Sequence, residues 1–276
     1  MKNVVNTLLL AVTLCLLAFP MTACPDPPDP GGDVDTFVLP DGIELDMVNL
    51  LGGRFMMGST NGSFDEEPVH QVTLTQDFQI GKFEITKAQW EAVMGTTPWA
   101  GVSYVLDDPN SPAVWVSWND VQTFITALNN HTGETFRLPT EAEWEYACRA
   151  GSTTEYSFGD SASNLGDYAW YRTNAGGAGQ QYAHIVGGKL PNAWGLYDMH
   201  GNAWEWCQDW YGSSNYSSSP GSDPTGPPSG SYRVLRGGSF FLYVDYGCRS
   251  AYRYGIYPNG SNGDIGFRVV RSVSSR

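Results

Sequence analysis

The sequence predicts a mixed α+β domain in which short strands and a few helices are joined by much irregular chain. Three observations carry that expectation. Helix start and stop signals occur only up to residue 151, where Thr86 and Gly95, Ser117 and Gly133, and Thr140 and Gly151 bracket three segments. Short apolar runs bounded by glycine read as strands. Beyond residue 151 periodicity fades, yet the 276 residues include 32 Gly, 10 Trp and 15 Tyr with only 16% charged side chains, a mix that suits loops pinned by large rings and not a helical bundle.

In order along the chain, residues 48–58 read as strand and turn, with Gly52, Gly53 and Gly58 as punctuation. Residues 69–75 alternate apolar and polar, and residues 78–85 form another strand candidate. Thr86 caps the first helix. The second begins at Ser117, places Asp120 in its first turn and Val121, Phe124, Ile125 and Leu128 on one face, and closes at Gly133. The third opens with the capping box Thr140-x-x-Glu143, in which hydroxyl and carboxylate each satisfy an end-of-helix amide, and turns Trp144, Ala147 and Cys148 inward. Later, Trp204-Glu205-Trp206 and residues 267–270 read as buried strands, and residues 213–230 as a Ser/Pro/Gly-rich loop.

The first residues read as an address. Lys2, an apolar run over residues 4–19 and then Met21-Thr22-Ala23-Cys24 form a signal peptide over residues 1–23, too short for a membrane span. Its end resembles a bacterial lipobox, with Met21 where leucine is usual and Cys24 as the lipid-bearing residue; an ordinary signal peptide is the alternative. Residues 24–44 are expected to be a tether, because residues 25–32 are Pro, Asp and Gly only and cannot pack. One domain, residues 45–272, follows. With 41% hydrophobic residues it can bury a sizeable core. A net charge of −14 excludes nucleic acid as a partner and an electrostatic grip on anionic lipid, leaving the N-terminal lipid as the expected membrane contact. The expected location is the bacterial envelope, at the outer membrane and facing outward.

Cys148, Cys207 and Cys248 remain after processing, so at most one pair can form, and no spacing suggests zinc. The four histidines are scattered singly.

Six segments in order resemble one family. They are Gly52-Gly-Arg-Phe-Met-Met-Gly58, Phe136-Arg-Leu-Pro-Thr-Glu-Ala-Glu-Trp-Glu-Tyr146, Asn192-Ala-Trp-Gly-Leu-Tyr-Asp-Met-His-Gly-Asn-Ala-Trp-Glu-Trp206, Arg233-Val-Leu-Arg-Gly-Gly-Ser239, Cys248-Arg-Ser-Ala251 and Ile265-Gly-Phe-Arg-Val269. Together they resemble the formylglycine-generating-enzyme, or sulfatase-modifying-factor, family. The resemblance implies a C-type-lectin-like α+β fold with small twisted sheets, two or more helices and much irregular structure. It also implies that Cys148 is the partner of Cys248 in a disulfide, with Cys207 as second choice.

The enzymes of that family bind copper through two cysteines just after a segment matching Arg236-Gly-Gly-Ser239, since soft thiolates hold Cu(I). Here residues 240–247 contain no cysteine, and Leu242 falls about where the first ligand belongs. No catalytic residue is therefore assigned, and no cofactor is required for catalysis. The resemblance further implies a structural calcium ion, held by the Asp198 and Glu205 side chains with the carbonyls of Gly201 and Ala203; hard oxygens suit that ion. The alternative is that Glu205 accepts hydrogen bonds in a buried turn.

Between the family's fixed points the filler is unusual, and residues 233–271 resemble the variable lipoproteins of diversity-generating retroelements. Adenine-directed mutagenesis of Asn codons cannot produce Lys, Met, Trp, Gln or Glu, and residues 240–264 contain none of these although the chain has 10 Trp and 7 Met. Tyr and Phe offer rigid contact area while Gly, Ser, Asn and Asp offer adaptable hydrogen bonding, as in paratopes. Leu235, Phe241, Leu242, Tyr243, Asp245, Tyr246, Tyr254, Ile256, Tyr257, Asn259, Ser261, Asn262 and Asp264 are expected to share one exposed ligand-binding face, with Phe240 buried beneath. The expected ligand is a protein or another cell-surface molecule. A copper oxidase or other enzyme of the family is the alternative.

Overall fold

A computed structural model of the chain describes residues 32–242 and 245–273, the side chains of 245 and 246 excepted. The export segment, Cys24 and the Pro/Asp/Gly run to residue 31 lie outside the described residues. The elements in chain order are β1 (Val34–Val38), β2 (Glu44–Leu50), β3 (Arg54–Met57), β4 (His70–Thr73) and β5 (Phe78–Gly81), then α1 (Lys87–Met94) and α2 (Trp118–Thr132). There follow β6 (Phe136–Arg137), α3 (Glu141–Arg149), α4 (Leu165–Tyr168), β7 (Trp204–Trp210), β8 (Arg233–Arg236), β9 (Tyr254–Ile256), β10 (Ile265–Gly266) and β11 (Val270–Ser272).

The three longer helices form where local chemistry demands them. Each opens on a reciprocal capping box, Thr86 with Gln89, Ser117 with Asp120 and Thr140 with Glu143. α1 and α2 stop at Gly95 and Gly133 in the left-handed region, while α3 ends one residue before the expected glycine, at Ala150 with φ 46°. Val121, Phe124, Ile125 and Leu128 are the buried face of α2, as the helical spacing requires.

Strand pairing is less local. A five-stranded sheet has the order β1-β2-β5-β11-β6, a four-stranded sheet the order β10-β7-β8-β9, and β3 pairs β4. Two expectations change here. The tether expected over residues 24–44 ends sooner, because Val34–Val38 pairs antiparallel with β2 and Leu39 enters the core. Residues 267–270 are buried but do not form one strand: β10 ends at Gly266 and β11 starts at Val270, each in a different sheet.

Two apolar clusters flank the four-stranded sheet. One collects Trp90, Phe124, Phe136, Trp204, Trp206, Leu235 and Phe267; the other collects Trp144, Cys148, Trp194, Cys207 and Val234. The alternation of strand side chains decides which residue goes where: Leu235 and Val234 are neighbours in β8, yet they fill opposite clusters.

A lattice of buried ion pairs joins the segments that carried the family resemblance to Glu66, Arg149 and Arg253 outside them. Glu145 binds Arg149 at 2.7 Å and also Arg236. Glu141 receives Arg253 at 2.7 and 2.5 Å, Glu66 receives Arg249 at 2.7 and 2.8 Å, and Glu205 receives Arg268 at 2.6 and 2.7 Å. Planar bidentate pairing explains arginine at these points; lysine could not reproduce it. Burial pushes Glu145 up, but Arg149 and Arg236 more than reverse this, and its carboxyl lies below the ordinary value.

Candidate functional site

The stretch after β8 starts with two left-handed glycines. A Cβ at Gly238 (φ 79°) would stand 2.8 Å from the Gly247 carbonyl and 3.2 Å from Cys248 Sγ, so the chain can double back only without a side chain there. The backbone then runs against the loop after α4: Gly176 N–H donates to the Phe240 carbonyl at 3.3 Å and Arg172 N–H to the Leu242 carbonyl at 3.1 Å. Phe240 is buried among Val114, Ala175, Ala183 and Ala203, as expected. Phe241, whose ring meets that of Phe240 edge to face at 6.0 Å between centroids, is 43% exposed.

The expected face divides into groups. Phe241, Tyr254, Tyr257, Asn259, Ser261 and Asn262 are exposed. Leu242, Ile256 and Asp264 are half-buried, Asp264 accepting from Ser239 Oγ at 2.9 Å. Leu235 is a correction: it is fully buried, because β8 is an inner strand and Leu235 lies opposite Trp206 on one side and Tyr254 on the other. Tyr243 and the side chains of Asp245 and Tyr246 lie outside the described residues.

Rings from elsewhere meet this face, the exposed Tyr104 and Tyr232 beside it and the buried Trp204 beneath it. Tyr104 meets Phe241 at 6.1 Å between centroids, Trp204 stacks with Tyr254 at 5.9 Å, and Tyr232 pairs with Tyr257 at 4.6 Å. The Arg172 guanidinium stands 5.6 Å from the Phe241 ring. No local sequence signal marks Tyr104, Arg172 or Tyr232 as residues of this face, since only strand register and loop packing bring them here.

Thiol chemistry is suppressed. The three cysteines are buried as thiols, so the Cys148–Cys248 disulfide implied by the resemblance is not formed. Cys148 Sγ instead lies 3.5 Å from the Met199 carbonyl and 3.9 Å from the His200 ring, whose Nδ1 is 2.9 Å from the Cys248 carbonyl. Burial pushes the Cys148 thiol up to about 12, and the Cys207 thiol well above its ordinary value. Leu242 packs its Cδ1 toward Gly238 and Gly247, at the place where the resemblance puts the first copper ligand. Two copper thiolates do not fit these residues.

The expected calcium ligands stand in a buried acidic knot. Glu205 is held by Arg268 and by Trp144 Nε1 at 2.8 Å, so it is an ion-pair partner before anything else. Asp198 Oδ2 accepts from Gly187 N–H at 2.8 Å, while buried Asp198 Oδ1 has no hydrogen-bond partner among the described residues. Glu84 accepts from Asn202 and Ala203, and is pushed well above its ordinary value by burial, then by Asp198 and Glu205. Three carboxylates thus face one guanidinium. Among the described residues no three His, Cys, Asp or Glu side chains are placed to hold a metal together. A hard cation would find an unused oxygen at Asp198 Oδ1, while both Glu205 oxygens are already engaged by Arg268.

This fold, with its ionic lattice, defines the class. Residues 40–273 match the sulfatase-modifying factor enzyme 1-like domain, and the chain belongs to that family. It has the C-type-lectin-like α+β fold of the formylglycine-generating type. The chain is similar to the formylglycine-generating enzyme of Streptomyces coelicolor, 33% identical over 82% of this chain and 89% of that one. It is 37% identical to the formylglycine-generating enzyme of Bos taurus over 61% of this chain, which is 46% of that longer protein. Among solved structures it is similar to Treponema denticola variable protein 1, with TM-score 0.78 and 29% identity over 87% of this chain and 99% of that one. PvdO from Pseudomonas aeruginosa follows, with TM-score 0.76 and 28% identity over 88% and 99%.

Proposed function

We propose that this protein is a lipid-anchored binding protein of the bacterial envelope, tethered through Cys24, that holds ligands on the face built around Phe241, Tyr254, Tyr257, Asn259, Ser261 and Asn262, without catalysis. The observation that carries the reading is the exchange around residues 240–242. Aliphatic Leu242 fills the expected ligand position while Phe241, beside it, is turned out to solvent. Exposed rings interleaved with small polar side chains make a surface suited to recognition and unsuited to an inert exterior. The similarity to a variable protein supports diversification of residues 233–271. Calcium, on this reading, is structural, and it would cancel the charge that Asp198 and Glu205 leave beside Glu84.

Family membership favours a second reading, a formylglycine-generating oxidase, since relatives of that name match most of the chain. Copper(I) titration with an oxygen-dependent assay on a Cys-containing sulfatase peptide separates the two. No tight copper binding and no turnover are expected; turnover would overturn the binding-protein reading. Diversification is tested in the neighbouring DNA, which should hold a near-copy of the codons for residues 233–271 differing at adenines, beside a reverse transcriptase. Metabolic labelling with a fatty acid should mark Cys24, and Cys24→Ser should abolish the label.

A further inference from the structure

Aromatic residues rarely accept a left-handed backbone, because Cβ then crowds the following carbonyl. The described chain contains two, Tyr104 (φ 64°) and Trp115 (φ 60°), and they are neighbours: Trp115 Nε1 donates to the Ser103 carbonyl at 3.2 Å. The other non-glycine residues in that region are Asp, Asn and the helix-capping Ala150. Both strained aromatics lie against the loop that carries the exposed polar residues. Trp115 N–H donates to the Asn262 carbonyl at 3.0 Å, and a Cβ at Gly263 would stand 3.0 Å from Tyr104 Cβ and 3.1 Å from Trp115 Nε1.

Core packing does not account for Tyr104. Its side chain is 45% exposed, and its ring contact is Phe241, itself exposed. Strain kept at an exposed position points to a role outside the fold. Tyr104 and Phe241 present two rings edge to face, with the Arg172 guanidinium over Phe241 and the Trp115 indole half-exposed behind.

We infer that Tyr104 is a binding residue contributed from outside residues 233–271, and that with Phe241 it takes an uncharged ring from the side chain of a protein partner. The inference rests on reading the Phe241 face as a binding surface. A protein partner is favoured over a small sugar because the rings project. Two hollows, of about 180 and 370 Å³, lie away from these rings, lined by residues such as Met56, Asn61 and Glu155 and by residues such as Ile43, Ala92 and Thr97. A net charge of −14 weighs against an anionic partner.

The test uses the full-length protein, backbone amide NMR and two probes, N-acetyl-L-tryptophanamide and methyl β-D-glucopyranoside. The tryptophanamide should shift the Phe241 and Gly263 amides. Tyr104→Gly should weaken that binding about tenfold or more while its melting temperature holds or rises, because glycine accepts the left-handed backbone. Tyr104→Phe should keep both binding and stability. If Tyr104→Gly binds as tightly as the parent, or melts lower, Tyr104 serves the fold and the inference is overturned. Shifts confined to the Tyr254 and Tyr257 amides would leave the binding face standing and remove Tyr104 from it. Shifts from the glucoside alone would overturn the protein partner, and shifts from neither probe would overturn the inference together with the face.

Discussion

Replacing Glu145 by glutamine removes a charge and almost no volume, so its effect isolates the ionic lattice from packing. The carboxylate is completely buried; it accepts from Gly58 N–H at 2.9 Å, pairs with Arg149 at 2.7 Å and also binds Arg236. An amide cannot serve both guanidiniums, and one of its ends would present N–H to a donor. Breaking a buried ion pair by removing one partner costs about 3–5 kcal/mol, because the other charge stays buried. The pair Arg137–Glu143 is the internal control: Arg137 is 32% exposed, and Arg137→Met should cost about 1 kcal/mol or less. Urea titrations at pH 7, compared through midpoint and slope, measure both. In acid the gap should narrow: a carboxyl held below its ordinary value contributes stability that is lost as pH falls through its folded value. A loss below about 1 kcal/mol for Glu145→Gln, equal to that of Arg137→Met, would refute the claim that the lattice is a high-stakes element.

Asp209 should behave in the opposite sense. Burial and then Glu141 push it up to about 8, against the Glu141 N–H that it accepts at 2.9 Å. The folded chain therefore keeps a proton that the unfolded chain releases, and stability falls as pH rises from about 4 to about 8. Asp209→Asn should flatten that part of the melting-temperature profile; an unchanged slope would count against it. Cys148, with its thiol at about 12, should resist iodoacetamide at pH 8 until the protein unfolds, and rapid alkylation of the native protein, read by mass spectrometry, would contradict its burial. Phe240→Ala should cost about 3–5 kcal/mol in urea. Phe241→Ala should change stability by about 0.5 kcal/mol or less, so equal losses would show that Phe241 is as much a core residue as Phe240.

What could be read from the sequence divides by range. The caps at Thr86, Ser117 and Thr140 are satisfied within three residues, so the three longer helices were legible, and the apolar face of α2 followed from its spacing. Leu235 misled because strand alternation tells which residues share a side but not that both sides of β8 are covered, a fact set by β7 and β9. The fate of residues 267–270 turned on which sheet each end joins. Val34–Val38 was hidden by the proline-rich run before it, although its partner β2 was partly legible. Glu205 was recognised as a motif residue, but its commitment to Arg268, 63 positions away, needed the fold. Tyr104 carried no local signal, since nothing in its neighbours announces a left-handed aromatic.

The strand order has a consequence for when the molecule becomes whole. β11 lies inside the five-stranded sheet between β5 and β6, whose residues come 190 and 135 positions earlier in the pairs Val270 with Ile80 and Arg271 with Phe136. Until that last strand arrives, two edges formed by the first half stay open and the sheet is split. The final strand acts as a latch: the chain between β8 and β11 is clasped at both ends, and its outward side chains, such as Phe241 and Tyr257, can be exchanged without loosening the clasp. A chain cut just before Val270 would lose the closure of the whole first sheet, far out of proportion to the few residues removed.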